Sequence, residues 1–115
     1  MSSQRRVVVT GLGIVSPLGN DIATSWQNII EGKSGASKIT KFDSTSFATH
    51  FAAELKGYDE ISGISPKEKR RIDPFVQYAI TASDQAIADA NLFSEEIDTR
   101  KVGVSIGSGL SLIHI

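Results

Sequence analysis

Ser105 lies in Gly103-Val104-Ser105-Ile106-Gly107, the G-x-S-x-G spacing that exposes a nucleophilic serine on a sharp strand-to-helix turn. Such a serine needs a base and an orienting carboxylate, which in that architecture follow it in the chain. After Ser105 there is one histidine, His114, and no Asp or Glu, so the hydrolase machinery cannot be assembled here. Gly11-Leu12-Gly13-Ile14-Val15-Ser16 resembles a dinucleotide fingerprint, whose glycines let a pyrophosphate approach a helix N-terminus. Ser16 stands in the third glycine's place, Pro17 follows it, and the next helical pattern begins some ten residues after Gly11, so a structural turn is the better reading. Gly32-Lys33-Ser34 echoes the end of a phosphate-cradling loop, yet Gln27 occupies the first glycine's place and the triplet ends a helix instead of opening one. His50 and His114 lack a metal-ligand spacing and read as loop or surface histidines. With no cysteine there is no disulfide, thiolate ligand or cysteine nucleophile. The sequence therefore nominates no catalytic, cofactor-binding or metal-binding residue.

The elements that would carry these residues follow a strand-helix order. Arg6–Gly11 is a short β-branched run closed by glycine, the pattern of a buried strand in a parallel sheet. After the Ser16-Pro17-Leu18-Gly19 turn, Asn20 or Asp21 caps a helix over about 22–31, with Ile22, Trp26, Ile29 and Ile30 on one face and Gly32 stopping it. Residues 33–64 read as loops and short extended pieces, "FAAELKGY" being the best strand candidate. Ser65-Pro66-Lys67-Glu68 is a capping-box pattern opening a short helical turn. Asp73-Pro74 then starts a longer helix over about 74–91, whose face of Phe75, Ala79, Ala82, Ala86 and Ala90 predicts close packing. "KVGVSIGSG" alternates as a strand and breaks at Gly107 and Gly109.

Composition sets the outer limits. The chain has 115 residues, 40% apolar and 22% charged, with a formal net charge of -1: ordinary globular sequence, neither disordered nor a nucleic-acid binder by overall charge. No apolar run approaches the roughly 20 residues that span a bilayer. The start has no apolar signal core, so a cytoplasmic protein is expected. One local departure is "PKEKRR", which packs Lys67, Lys69, Arg70 and Arg71 together. Basic groups at a helix N-terminus oppose its dipole, so helix stability does not explain the cluster. Read alone, it is a solvated charged face.

The segments "RRVVVTGLGIVSPLGND", "GKSG", "FDSTSFATHFAAELKGYD", "SPKEKRRIDPFVQYAI", "AIADANL" and "VGVSIGSG" resemble, in uninterrupted order from about Arg5 to Gly109, the start of the β-ketoacyl-acyl carrier protein synthase II family of condensing enzymes. The resemblance implies an α/β thiolase-like fold, a mixed sheet with layered helices, of which residues 1–109 would be an incomplete N-terminal part. It also implies a homodimer in the full-length parent, an acyl carrier protein partner and no cofactor. In that family a cysteine thiolate takes the acyl chain and two histidines stabilise the charge that develops during decarboxylation. This chain has no cysteine and neither histidine sits in a matching motif, so those residues would lie beyond Ile115. The resemblance assigns Lys67, Arg70 and Arg71 to the surface that receives the acidic carrier protein, and Gly109 with Leu110 to the acyl pocket.

The ending "LSLIHI" departs from the family and matches the translation of a transposon-adapter end, so residues 110–115 are expected to be foreign, Leu110 among them. Two functions from different classes follow: a catalytically incomplete piece of a condensing acyltransferase, or a small non-catalytic adaptor that binds carrier protein.

Overall fold

In the computed structural model, which describes residues 4–94 and 96–109, the helical expectations are met closely. Helix α1 spans Ile22–Ile30, and its cap is Asp21, whose carboxylate accepts from the Thr24 amide at 2.8 Å. A two-residue antiparallel pair follows, β1 (Ser37–Lys38) against β2 (Phe51–Ala52), within the segment expected to be extended. Helix α2, Tyr58–Ile61, lies where loops and short extended pieces were expected, its Tyr58 being the last residue of the strand candidate "FAAELKGY"; it starts after Gly57, whose φ of 64° suits glycine. Helix α3, Pro66–Lys69, opens with the predicted capping box: Ser65 Oγ accepts from the Glu68 amide while the Glu68 carboxylate accepts from the Ser65 amide. Helix α4, Pro74–Asp89, ends two residues before its expected limit, and Asn91 takes a left-handed conformation, φ 48°, that asparagine tolerates. A single 3₁₀ turn covers Thr99–Lys101.

Helix α4 organises the rest through a polar stripe. Gln77, Thr81, Gln85 and Asp89 recur every four residues and so climb one side of the helix. Asp89 accepts from the Leu12 amide (2.9 Å), and Gln85 accepts from the Ile14 amide (3.1 Å) while donating to the Asn20 carbonyl (2.7 Å). Thr81 donates to the Gln77 carbonyl (3.1 Å) and accepts from the Tyr58 hydroxyl (3.0 Å). Gln77 donates to the carbonyls of Lys69 and Ile72. Beside this stripe runs the alanine face, which receives the Gly11–Gly13 backbone. A Cβ on Gly11 would stand 2.7 Å from Ala90 Cβ, and one on Gly13 would overlap the Ala82 carbonyl oxygen. The glycines of the "GLG" pattern thus serve close approach of backbone to helix, not a pyrophosphate.

Of the expected strands, "FAAELKGY" forms only at Phe51–Ala52 and the other two are not formed among the described residues. Residues 6–11 and 102–106 carry no ladder among the described residues, and the mixed sheet reduces to the β1–β2 pair. A strand is defined by a neighbour that accepts and donates its backbone bonds, and among the described residues none is present for either run. Their side chains face solvent accordingly, Val7 at 94% and Val104 at 85% exposure. Ile22, Trp26, Ile29 and Ile30, the apolar face of α1, are likewise exposed. The buried set is mostly polar, Ser25, Ser44, Ser62, Gln77 and Thr81, with Tyr58 the one buried hydrophobic residue among those described. The radius of gyration, 18.0 Å, exceeds the ~13 Å of a compact domain of this length. Such faces associate unless covered. The chain in isolation is expected to bind an anilinonaphthalene sulfonate dye and to melt without a sharp transition; a steep calorimetric transition with no dye binding would contradict this.

Candidate functional site

The four cations of "PKEKRR" divide into two groups. Lys69 is half-buried: its Nζ lies 2.8 Å from the Asp59 carboxylate and 5.7 Å from the centroid of the Tyr58 ring. That ring also meets Tyr78 edge-on, with centroids 4.9 Å apart. Lys69 therefore ties α3 to α2 and is structural. Lys67, Arg70 and Arg71 are exposed, and none forms an ion pair among the described residues. Those are the residues nominated for carrier docking.

The structure corrects one premise about this cluster. Helix α3 is four residues long, with Arg70 as its C-cap and Arg71 beyond it. The two arginines sit at the helix's C-terminal end, where cations are tolerated, and only Lys67 lies in the first turn. Glu68 in the same turn is engaged by the cap: its carboxylate accepts from the Ser65 hydroxyl (2.6 Å) and amide (3.2 Å). These bonds, the hydroxyl's first, hold its carboxyl below the usual carboxylate range.

Gly109 lines an open apolar groove of about 490 Å³, formed by Phe75, Ala79 and Ile80 of α4 against Ile106 and Gly107. Its partner in the acyl-pocket assignment, Leu110, lies outside the described residues, as do His114 and the rest of 110–115. Ser105 is exposed and carries no hydrogen bond to a histidine or carboxylate among the described residues, which supports rejecting the elbow. His50 holds a loop, its Nδ1 donating to the Ser44 carbonyl at 2.8 Å. No group of metal-ligating side chains gathers among the described residues. Sequence reasoning missed Gln77, whose signal was a polar residue amid the apolar positions of α4.

The exposed cations and the apolar groove are two features of the described residues that could meet a partner or a ligand, and similarity to known proteins identifies the family. The sequence profile of the "Beta-ketoacyl synthase, N-terminal domain" matches residues 4–113, and the chain belongs to that family. It is 46% identical over 110 residues to the 3-oxoacyl-[acyl-carrier-protein] synthase 2 of Staphylococcus aureus (strain COL), covering 96% of this chain and 27% of that protein. Its identity to the Vibrio cholerae serotype O1 protein of the same name is 45% over 113 residues, 98% of this chain and 27% of the relative. Among solved structures it is similar to the ishigamide ketosynthase/chain length factor, with a TM-score of 0.67 and 28% identity over 88% of this chain and 24% of that one. The fold is therefore a thiolase-like α/β fragment, and the chain spans about a quarter of the length of the curated relatives it matches.

Because the Glu68 carboxyl is held down, the capping box is intact above the ordinary glutamate range and is lost as pH falls through the lowered value. A carbon-detected titration should place the Glu68 midpoint below that of an unstructured glutamate, with the Arg70 amide losing protection in the same pH interval. An ordinary midpoint would show that the box does not form in solution.

Proposed function

We propose that this chain is the N-terminal segment of a 3-oxoacyl-[acyl-carrier-protein] synthase that elongates fatty acids by decarboxylative condensation, and that it supplies the enzyme's carrier-docking face. Support comes from one observation above the rest: of the four basic residues in "PKEKRR", the one tied to Asp59 is Lys69, and Lys67, Arg70 and Arg71 stay exposed. An acidic carrier protein meets such a patch by electrostatic steering, which sets encounter rate and orientation more than tight affinity.

In the complete synthase the acyl chain would pass from its carrier thioester to a cysteine thiolate, releasing the carrier thiol. Malonyl-carrier protein would then lose carbon dioxide, and the resulting carbanion would attack the acyl-enzyme thioester and expel the cysteine thiolate. Two histidines would stabilise the oxyanion that develops. The cysteine and both histidines are assigned to residues outside this chain, which holds no cysteine.

This chain's part in the chemistry is positional. The groove lined by Gly109 is assigned as one wall of the acyl pocket, and its lining is apolar, as a hydrocarbon chain requires; the resemblance assigns Leu110, outside the described residues, to the same pocket. Val7–Val9 and Val102–Ile106 are assigned to the mixed sheet of the complete fold, which would cover their exposed side chains. A homodimer and a cytoplasmic location belong to the same reading; no helix among the described residues is long and apolar enough to cross a membrane.

Reversing Lys67, Arg70 and Arg71 to glutamate in the complete synthase is expected to raise KM for acyl-carrier protein roughly tenfold or more, the scale of electrostatic steering. The salt dependence of that KM should flatten, while turnover of small acyl-thioester surrogates is spared. Unchanged carrier kinetics across a salt series would sink the docking assignment. If this chain alone bound carrier protein tightly while adding nothing to condensation, the adaptor reading would replace the enzymatic one.

A further inference from the structure

We propose that Gln77 is a positioning residue for carrier docking, an inference that rests on the docking role of Lys67, Arg70 and Arg71. Gln77 is 8% exposed and projects from the first turns of α4. Its Nε2 donates to the Lys69 carbonyl at 3.1 Å and to the Ile72 carbonyl at 3.0 Å. A side-chain amide has two N–H donors, so both are used. The accepting carbonyls bracket Arg70 and Arg71 in the chain. One buried amide therefore fixes the backbone on both sides of the two arginines whose side chains stay in solvent.

The clamp is anchored from behind. The Gln77 amide donates to the Asp73 carbonyl at 3.2 Å, and its own carbonyl accepts from Thr81, which in turn receives the Tyr58 hydroxyl. From the opposite side the Lys69 ammonium is held by Asp59 and lies over the Tyr58 ring. Residues 69–72 are thus gripped from α2 and α4 together. The Lys69 carbonyl belongs to the last turn of α3, where carbonyls have no partner within the helix and must find one elsewhere. A backbone ordered before encounter spares the carrier complex the entropy of ordering it.

Positioning and charge are separable in a salt series. Charge sets the slope of carrier affinity against ionic strength, whereas loosening the backbone beneath the same charges weakens the complex without changing that slope. Gln77→Met keeps the side chain's length and removes both donors. In the complete synthase it should raise KM for acyl-carrier protein roughly three- to tenfold, the range that one or two lost hydrogen bonds correspond to. The salt slope and the turnover of a small acyl-thioester surrogate should not change. Gln77→Glu, with an oxygen facing the two carbonyls in place of the amide nitrogen, should be worse than Gln77→Met. An unchanged carrier KM, a parallel loss of surrogate turnover, or a glutamate variant no worse than the methionine one would each overturn the proposal. If charge reversal raises KM and Gln77→Met does not, the positioning role alone fails; if charge reversal has no effect, the docking reading fails and takes this inference with it.

Discussion

The four-residue rhythm of Gln77, Thr81, Gln85 and Asp89 on α4 is the constraint on which the remaining geometry depends. These side chains reach residues 69–72, Tyr58 of α2, and then the 12–20 stretch, Gln85 at Ile14 and Asn20 and Asp89 at Leu12, in that order. Because successive positions in the stripe are neighbours along the helix surface, the segments they hold are stacked in a fixed order along one helix. Removing a single member would free one segment and leave a polar group without its partner, which costs about 1–3 kcal/mol where that group is buried.

This arrangement explains how the chain holds local order with so little buried hydrocarbon. Tyr58 is the one buried hydrophobic residue among those described, and even it is secured by its hydroxyl as much as by its ring. Serines do similar work around α1: Ser25 Oγ donates to the Gly19 carbonyl at 3.0 Å, and Asn28 donates to the Leu18 carbonyl at 2.6 Å, which fixes the Ser16–Gly19 turn against the helix. Hydrogen bonds give direction but only about 1 kcal/mol net each. The exposed valines and the apolar face of α1 keep the larger, non-directional contribution in reserve for whatever layer covers them.

Local signals were readable in the sequence and non-local ones were not. Asp21, the Ser65–Glu68 box and Asp73-Pro74 are decided within a few residues, and all three helix starts fell where expected. The alanines of α4 announced a close neighbour, though not that the neighbour is the Gly11–Gly13 backbone. The strand patterns at 6–11 and 102–106 describe residues suited to a sheet, but a sheet needs partners that residue patterns alone cannot supply. Helix α2 escaped notice because a four-residue helix has no periodicity to read and, unlike α3, it starts from a glycine with no side-chain cap to mark it. Within "PKEKRR" nothing in the residue types distinguishes Lys69 from its neighbours; the difference is Asp59, ten residues earlier, on another helix.

The division of labour inside that cluster bears on how a chain of net charge -1 can carry three exposed cations within five residues. Net charge says little about local potential, since a docking partner within a Debye length of about 8 Å senses only the nearest groups. Asp59 neutralises Lys69, and Glu68 is engaged with Ser65 at the N-terminal end of α3. Asp59 and Glu68 are thereby committed to structure, and neither forms an ion pair with Lys67, Arg70 or Arg71 among the described residues. The bonds that build α3 thus leave Lys67, Arg70 and Arg71 without an ion-pair partner among the described residues, while Glu68 keeps its negative charge close to them.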